Sequence, residues 1–256
     1  MGSPAAGLTP RPGTKQTLGT PAGAQPPKPT LASTRSGLAA ACVMVSLTIT
    51  ASGCTSDDST EPQAKAELCR LAPDSSESRT LRQLLGEDDV RTDISHDGDD
   101  LAESMRDWLK PGGPERSALP LRMCSYRPEK ITGADMVSIE FGWLSRDAVG
   151  KKANKLPGKV RHYDVNGATV QANDIVSRLT VPCRMPGGLE KASQKVLFQG
   201  EASNTLLTGT DVQQKTIDQQ VTFLYLMTRR ATEALDCAND PLARKPVVKP
   251  SPAPTA

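Results

Sequence analysis

The chain has 256 residues, 31 Lys and Arg against 29 Asp and Glu, a formal charge of +2, and 37% apolar residues. That balance excludes the concentrated positive charge of a nucleic-acid binder. With 2 Trp, 3 Tyr and 3 Phe, it also lacks the aromatic platforms that stack single strands.

Residues Met1 to Ser36 are rich in Pro, Gly, Thr and Ala, with Arg11, Lys15, Lys28 and Arg35 as their only charges. An uncharged, largely apolar run follows from Gly37 to Ala51 and leads into Ala51-Ser52-Gly53-Cys54. The run is shorter than the roughly 20 residues a membrane span needs, but fits a signal-peptide core with a basic flank and small residues before the cut. Residues 1–53 therefore read as an extension and lipoprotein export signal. Cys54 is the expected lipidation site, and palmitate-type chains on it would anchor the protein to the outer face of the cell membrane. Removing 1–53 takes away four bases and no acid, leaving 27 Lys and Arg against 29 acids, a net charge of −2. Residues 54–66 are polar and aperiodic, and read as a tether.

The segment from 67 to 240 reads as a single α+β domain. Ser78 to Leu85 carries Leu81, Leu84 and Leu85 on one face and stops at Gly86, as a short helix does. Leu101 to Lys110 places Leu101, Met105, Trp108 and Leu109 on one stripe, with Asp100 and Glu103 in capping-box register. Val137, Ile139, Phe141 and Trp143 alternate with Ser138, Glu140 and Gly142, the period of a half-buried strand. Val160 to Val165, Asn166-Gly167 and Ala168 to Ala172 form a hairpin pattern, because Asn-Gly supplies the positive φ angles of a two-residue turn. Ile175 to Val181 and Lys195 to Gly200 complete an antiparallel sheet of about five strands. A long amphipathic helix is predicted from Asp211 to Asp236, packing on that sheet with Ile217, Val221, Leu224, Thr228, Ala231 and Leu235. The Pro-rich stretch 241–256 is expected to be a disordered tail.

Of six Cys, Cys42 lies in the apolar run and Cys54 is the lipidation candidate. Cys69, Cys124, Cys183 and Cys237 remain for the domain, an even number that an exported protein can oxidise. Three pairings exist. Cys69–Cys124 with Cys183–Cys237 is favoured, since each would tie a helix-bearing segment to a neighbouring strand. No pair has the close spacing of a zinc site.

The lipobox-like Ala51-Ser52-Gly53-Cys54, Leu68-Cys69 followed by Leu84-Leu85-Gly86, Met123-Cys124-Ser125-Tyr126, Val181-Pro182-Cys183 and Leu235-Asp236-Cys237 together resemble a group of secreted actinobacterial lipoproteins of uncharacterised function. The resemblance covers most of the mature chain. It implies a strand at 123–126 and an extracytoplasmic, four-Cys α+β domain, and it supplies no catalytic residue.

Candidate chemistry is sparse. Asp93, Ser95, Asp97, Gly98 and Asp99 follow the opening of a calcium loop, but Ser104 stands where the bidentate Glu belongs; these acids also suit the N-terminal flank of a helix. His96 and His162 are the two histidines, and neither has a neighbouring nucleophile or metal-ligand pattern. Arg146, Lys151, Lys152, Lys155, Lys159 and Arg161 form a basic stretch that is either a solvated loop or a surface for anionic headgroups or polymers. No cofactor is expected. The expected activity is binding or sensing of an extracytoplasmic ligand or partner, with no enzyme activity and no nucleic acid. The alternatives are an extracytoplasmic enzyme or calcium-dependent domain, and a structural accessory subunit of an envelope complex.

Overall fold

The computed structural model describes residues 67–111, 119–130, 136–151, 155–205 and 213–251. All belong to one compact unit within Cys54–Ala256. The elements in chain order are α1 (Ser76–Leu85), β1 (Val90–Ile94), α2 (Gly98–Leu109), β2 (Leu121–Pro128), β3 (Val137–Ser145), β4 (Arg161–Val165), β5 (Ala168–Ala172), β6 (Val176–Val181), α3 (Glu190–Ser193), β7 (Val196–Asn204), α4 (Gln214–Ala234) and β8 (Val248–Ser251).

One antiparallel sheet runs in the order β1-β2-β3-β7-β6-β5-β4-β8. It has eight strands where about five were expected. Beyond the five that periodicity gives are β1, β8 and β2, the last implied at 123–126 by the resemblance alone: β1 and β8 have too few apolar residues to show alternation, and β2 carries a register shift between Arg122 and Cys124 that breaks its period. The Asn166-Gly167 turn joins β4 to β5 with φ of 55° and 89°, the conformation that favours this dipeptide.

The helices α1, α2 and α4 gather on one face. Ser75 caps α1 by accepting from Ser78 N at 3.1 Å, and Gly86 ends it in the left-handed region. The cap of α2 lies a turn earlier than the sequence pattern suggested: Asp97 accepts from Asp99 N and Asp100 N, while Asp100 accepts from Asp97 N. Asp100 has capping-box spacing both to Asp97 and to Glu103, and the box that forms is the one with Asp97.

Helix α4 lies directly over the middle of the sheet. Val137, Ile139, Phe141, Phe198, Ala202, Leu179 and Val170 rise from the strands, and Ile217, Val221, Leu224 and Ala231 descend from the helix, all fully buried. Gly200 makes the approach close, because a Cβ there would collide with Thr228 Oγ1 and press on Leu224 Cδ1 and Phe141 Cε1, both at 3.2 Å. Trp143 Nε1 donates to Met105 O at 2.9 Å and ties β3 to α2. The Glu77 carboxylate, 5% exposed, pairs with Arg229 at 3.0 Å and ties α1 to α4.

Disulfides join Cys69 to Cys124 and Cys183 to Cys237, closing separations of 55 and 54 residues. On the chain-entropy model each link restricts the unfolded chain by about 4 kcal/mol.

Residues 241–251 correct the expected disordered tail. Leu242 is buried, the Tyr225 hydroxyl lies 3.0 Å from Arg244 O, and Asn166 Nδ2 donates both to that hydroxyl and to Lys245 O. The chain then pairs with β4 as β8. Proline content misled because Pro250 occupies an edge strand, where the missing N–H is tolerated.

Two stability outcomes follow from this packing. Gly200→Ala is expected to lower unfolding free energy by about 3 kcal/mol, and by less in a Thr228→Ala background, as read by urea titration of the single and double variants. A chain ending at Asp240 loses the burial of Leu242, the acceptors of Tyr225 and the β8 ladder. It should be less stable by about 3–5 kcal/mol in the same assay. An unchanged midpoint would show that 241–251 adds nothing to the fold.

Candidate functional site

The sheet divides its side chains by parity. One set meets the helices, and the other forms a second face that carries no helix among the described residues. On that face the strand registers align Arg122, Glu140, Glu201, Arg178, Gln171, His162 and Ser251 in a single row across seven strands. Glu140 and Glu201 stand directly opposite each other, a repulsive arrangement on its own. Each is flanked by an arginine on its outer side: Arg122 Nε donates to Glu140 at 3.0 Å, and Arg178 donates to Glu201 through Nε at 2.9 Å and Nη2 at 2.7 Å. The result is a plus-minus-minus-plus pattern in the middle of the sheet.

A second row lies alongside, formed by Asp93, Ser125, Ser138, Ser203 and Val176. The Ser138 and Ser203 hydroxyls are 2.6 Å apart. Gln199, 9% exposed on the same face, has no hydrogen-bond partner for its Oε1, and His162 has none for Nδ1.

The calcium reading divides when the chain folds. Asp93 is in β1 and is engaged by Arg127 at 2.6 Å and Arg91 at 3.3 Å, whereas Asp97 and Asp99 belong to the start of α2, where Asp97 is its cap. Among the described residues no group of three or more His, Cys, Asp and Glu side chains is placed to hold a metal. His96 Nδ1 sits 2.8 Å from Arg122 O, a structural contact between the β1–α2 turn and β2.

The basic stretch is also dispersed. Arg146 donates through Nε to Gln194 O at 2.7 Å, and Arg161 faces Asp174 at 3.9 Å. Lys151, Lys155 and Lys159 are exposed, while Lys152 lies outside the described residues. This stretch connects two strands that run in the same direction, since four antiparallel steps separate β3 from β4. It therefore has to carry the chain back along the sheet. Asn173 Nδ2 donates to Pro157 O at 2.9 Å and fixes its far end.

The Asp107 carboxylate raises the Lys110 ammonium through their hydrogen bond, and the other perturbed proton affinities follow burial. Burial pushes the Tyr126 and Tyr163 hydroxyls up, and Gln214 offsets part of the second by donating to it. Burial also pushes the Glu233 carboxyl up, against the pull of Arg229 and Arg230. A shallow open groove at the end of α1, between Asp74, Arg79, Arg82 and Asp88, carries both signs of charge. No helix among the described residues is long and apolar enough to cross a membrane. Cys54 and the tether 54–66 lie outside the described residues.

Sequence reasoning placed Glu140 on the polar side of its strand but missed its partners. The only available signal was the opposite parity of Arg178 and Glu201 in their own strands, which says nothing about register.

Arg178→Met is expected to leave the two facing carboxylates with a single arginine, Arg122 on the outer side of Glu140, and to cost about 1–2 kcal/mol. Adding Glu201→Gln should recover most of the loss. Equal stability of Arg178→Met and the wild type in thermal unfolding would show that the row carries no coupling.

No protein-family model matches the chain, and no curated protein or solved structure shows significant similarity to it.

Proposed function

We propose that the chain is an exported lipoprotein, anchored to the outer face of the cell membrane through Cys54, and that its domain is a binding or sensing module for an extracytoplasmic macromolecule. Its cysteine placement resembles that of a group of secreted actinobacterial lipoproteins. The observation that carries the binding reading is the second face of the sheet. Four adjacent strands align two arginine–glutamate pairs there, and Gln171, His162 and Ser251 continue the row across three more.

Two disulfides support an oxidising compartment. A charged row that runs across several strands suits a macromolecular partner, since small molecules are held in concave and mostly apolar sites. Paired charges on such a face set orientation and discriminate between partners more than they add affinity.

Membrane fractionation with intact-mass measurement tests the anchor. The wild type should partition with membranes at a mass that lacks residues 1–53 and includes acyl chains, whereas Cys54→Ala should be neither cut nor acylated. If both proteins are soluble and retain residues 1–53, the export reading falls. The binding face is tested separately by crosslinking in intact cells: a product captured by the wild type and lost in the stable Arg178→Met, Glu201→Gln double variant supports it.

A further inference from the structure

The two edges of the sheet are finished differently. β8, at one edge, carries Pro250 and Lys249, both of which discourage further pairing. β1, at the other edge, has neither Pro nor Lys in Val90-Arg91-Thr92-Asp93-Ile94. Its direction of bonding can be read from the flanking residues. Glu129 N donates to Asp89 O, and Ser95 N donates to Met123 O, so the odd-numbered residues point their backbone groups at β2. The N–H and C=O groups of Val90, Thr92 and Ile94 therefore point away from the sheet.

We propose that β1 pairs with β1 of a second copy of this chain, in antiparallel register about Thr92, to give a two-fold dimer with one continuous sheet. Only an outward-pointing residue can sit on the axis and exchange both backbone bonds with its own equivalent. Thr92 on the axis places Val90 opposite Ile94 of the second copy, whose backbone groups also point outward. The same register sets Arg91 opposite Asp93 of the second copy, twice by symmetry, on the polar face. Backbone polarity, charge and apolar character thus agree in one register. Ile94, 44% exposed in the monomer, would be covered by Val90 on the helix side. Arg91 and Asp93 already lie within 3.3 Å of one another in the monomer, and a second copy doubles the pair without bringing like charges together.

Sedimentation of the full-length chain in a non-denaturing detergent, which disperses the apolar run 37–51, tests the proposal. The wild type should shift from monomer to dimer between about 1 and 200 µM, the range for a small interface. Thr92→Pro removes an N–H that the monomer does not use and should abolish the shift while far-UV dichroism stays unchanged. Arg91→Glu makes both positions acidic and Asp93→Lys makes both basic, so each alone should dimerise about tenfold more weakly. An equimolar mixture of the two should restore association as a heterodimer. Asp93 also pairs with Arg127, so melting temperatures are compared before the charge variants are interpreted. A wild type that stays monomeric over the whole range overturns the proposal, as does an undiminished Thr92→Pro dimer or a mixture that forms no heterodimer.

Discussion

The close approach of α4 to the centre of the sheet is the constraint on which the other contacts depend. Gly200 sits where β3, β7 and β6 meet, and the space its missing side chain leaves is filled by Thr228, Leu224 and Phe141. A helix so close can bury side chains on nearly all of its sheet-facing surface, from Ile217 to Leu235. α1 docks on this platform through Glu77 and Arg229, while the Trp143 to Met105 bond holds α2 against β3 beside it. The interior is dense enough there that one added methyl group has nowhere to go.

The same helix also fastens both ends of the domain. Arg230 donates to the carbonyl oxygens of Glu67, Leu68 and Arg70, and Tyr126 donates to that of Cys69 at 3.0 Å. Four consecutive carbonyls are thus satisfied by two side chains, next to the disulfide that links Cys69 to β2. At the other end Tyr225 meets the carbonyls that lead into β8. The second disulfide holds the end of α4 against β6, reinforced by Asn239, which accepts from Arg184 N and donates to Pro182 O. Contacts of α4 and its flanking residues thus hold both ends of the domain against the sheet.

What could be read from the sequence was local. The stripe from Ile217 to Leu235 and the Asn166-Gly167 hairpin state their conformations within a few residues, so they were legible. The alternation from Val137 to Trp143 was legible for the same reason. The start of α2 was ambiguous because Asp97, Asp100 and Glu103 offer two overlapping boxes, of which the one with Asp97 forms. The charged row was hidden for a different reason. Glu140 and Glu201 are 61 positions apart in numbering, and nothing local to either says that they face each other or that Arg122 and Arg178 stand outside them. The tail was misread because composition reports the propensity of a segment, not the contacts waiting for it. Leu242 and the Tyr225 hydroxyl outweigh the prolines around them.

The two faces of the sheet therefore divide the work. Burial raises the proton affinities of Tyr126 and Tyr163 on the helix side of the sheet and of the half-exposed Glu233 on α4, whereas the Asp107 carboxylate raises that of Lys110. The second face keeps its charges in opposed pairs, at side-chain exposures of 19–22% for Glu140, Glu201 and Arg178. Charges so placed are screened too little to be inert and are too well neutralised to form a strong field of one sign. A surface of that kind discriminates by position: a partner gains when its own charges complement the plus-minus-minus-plus order and loses when they are shifted by one strand, about 4.8 Å. Sheet geometry, set by the approach of α4 on the opposite side, fixes that spacing, so the packing that stabilises the domain is also what would make its polar face selective.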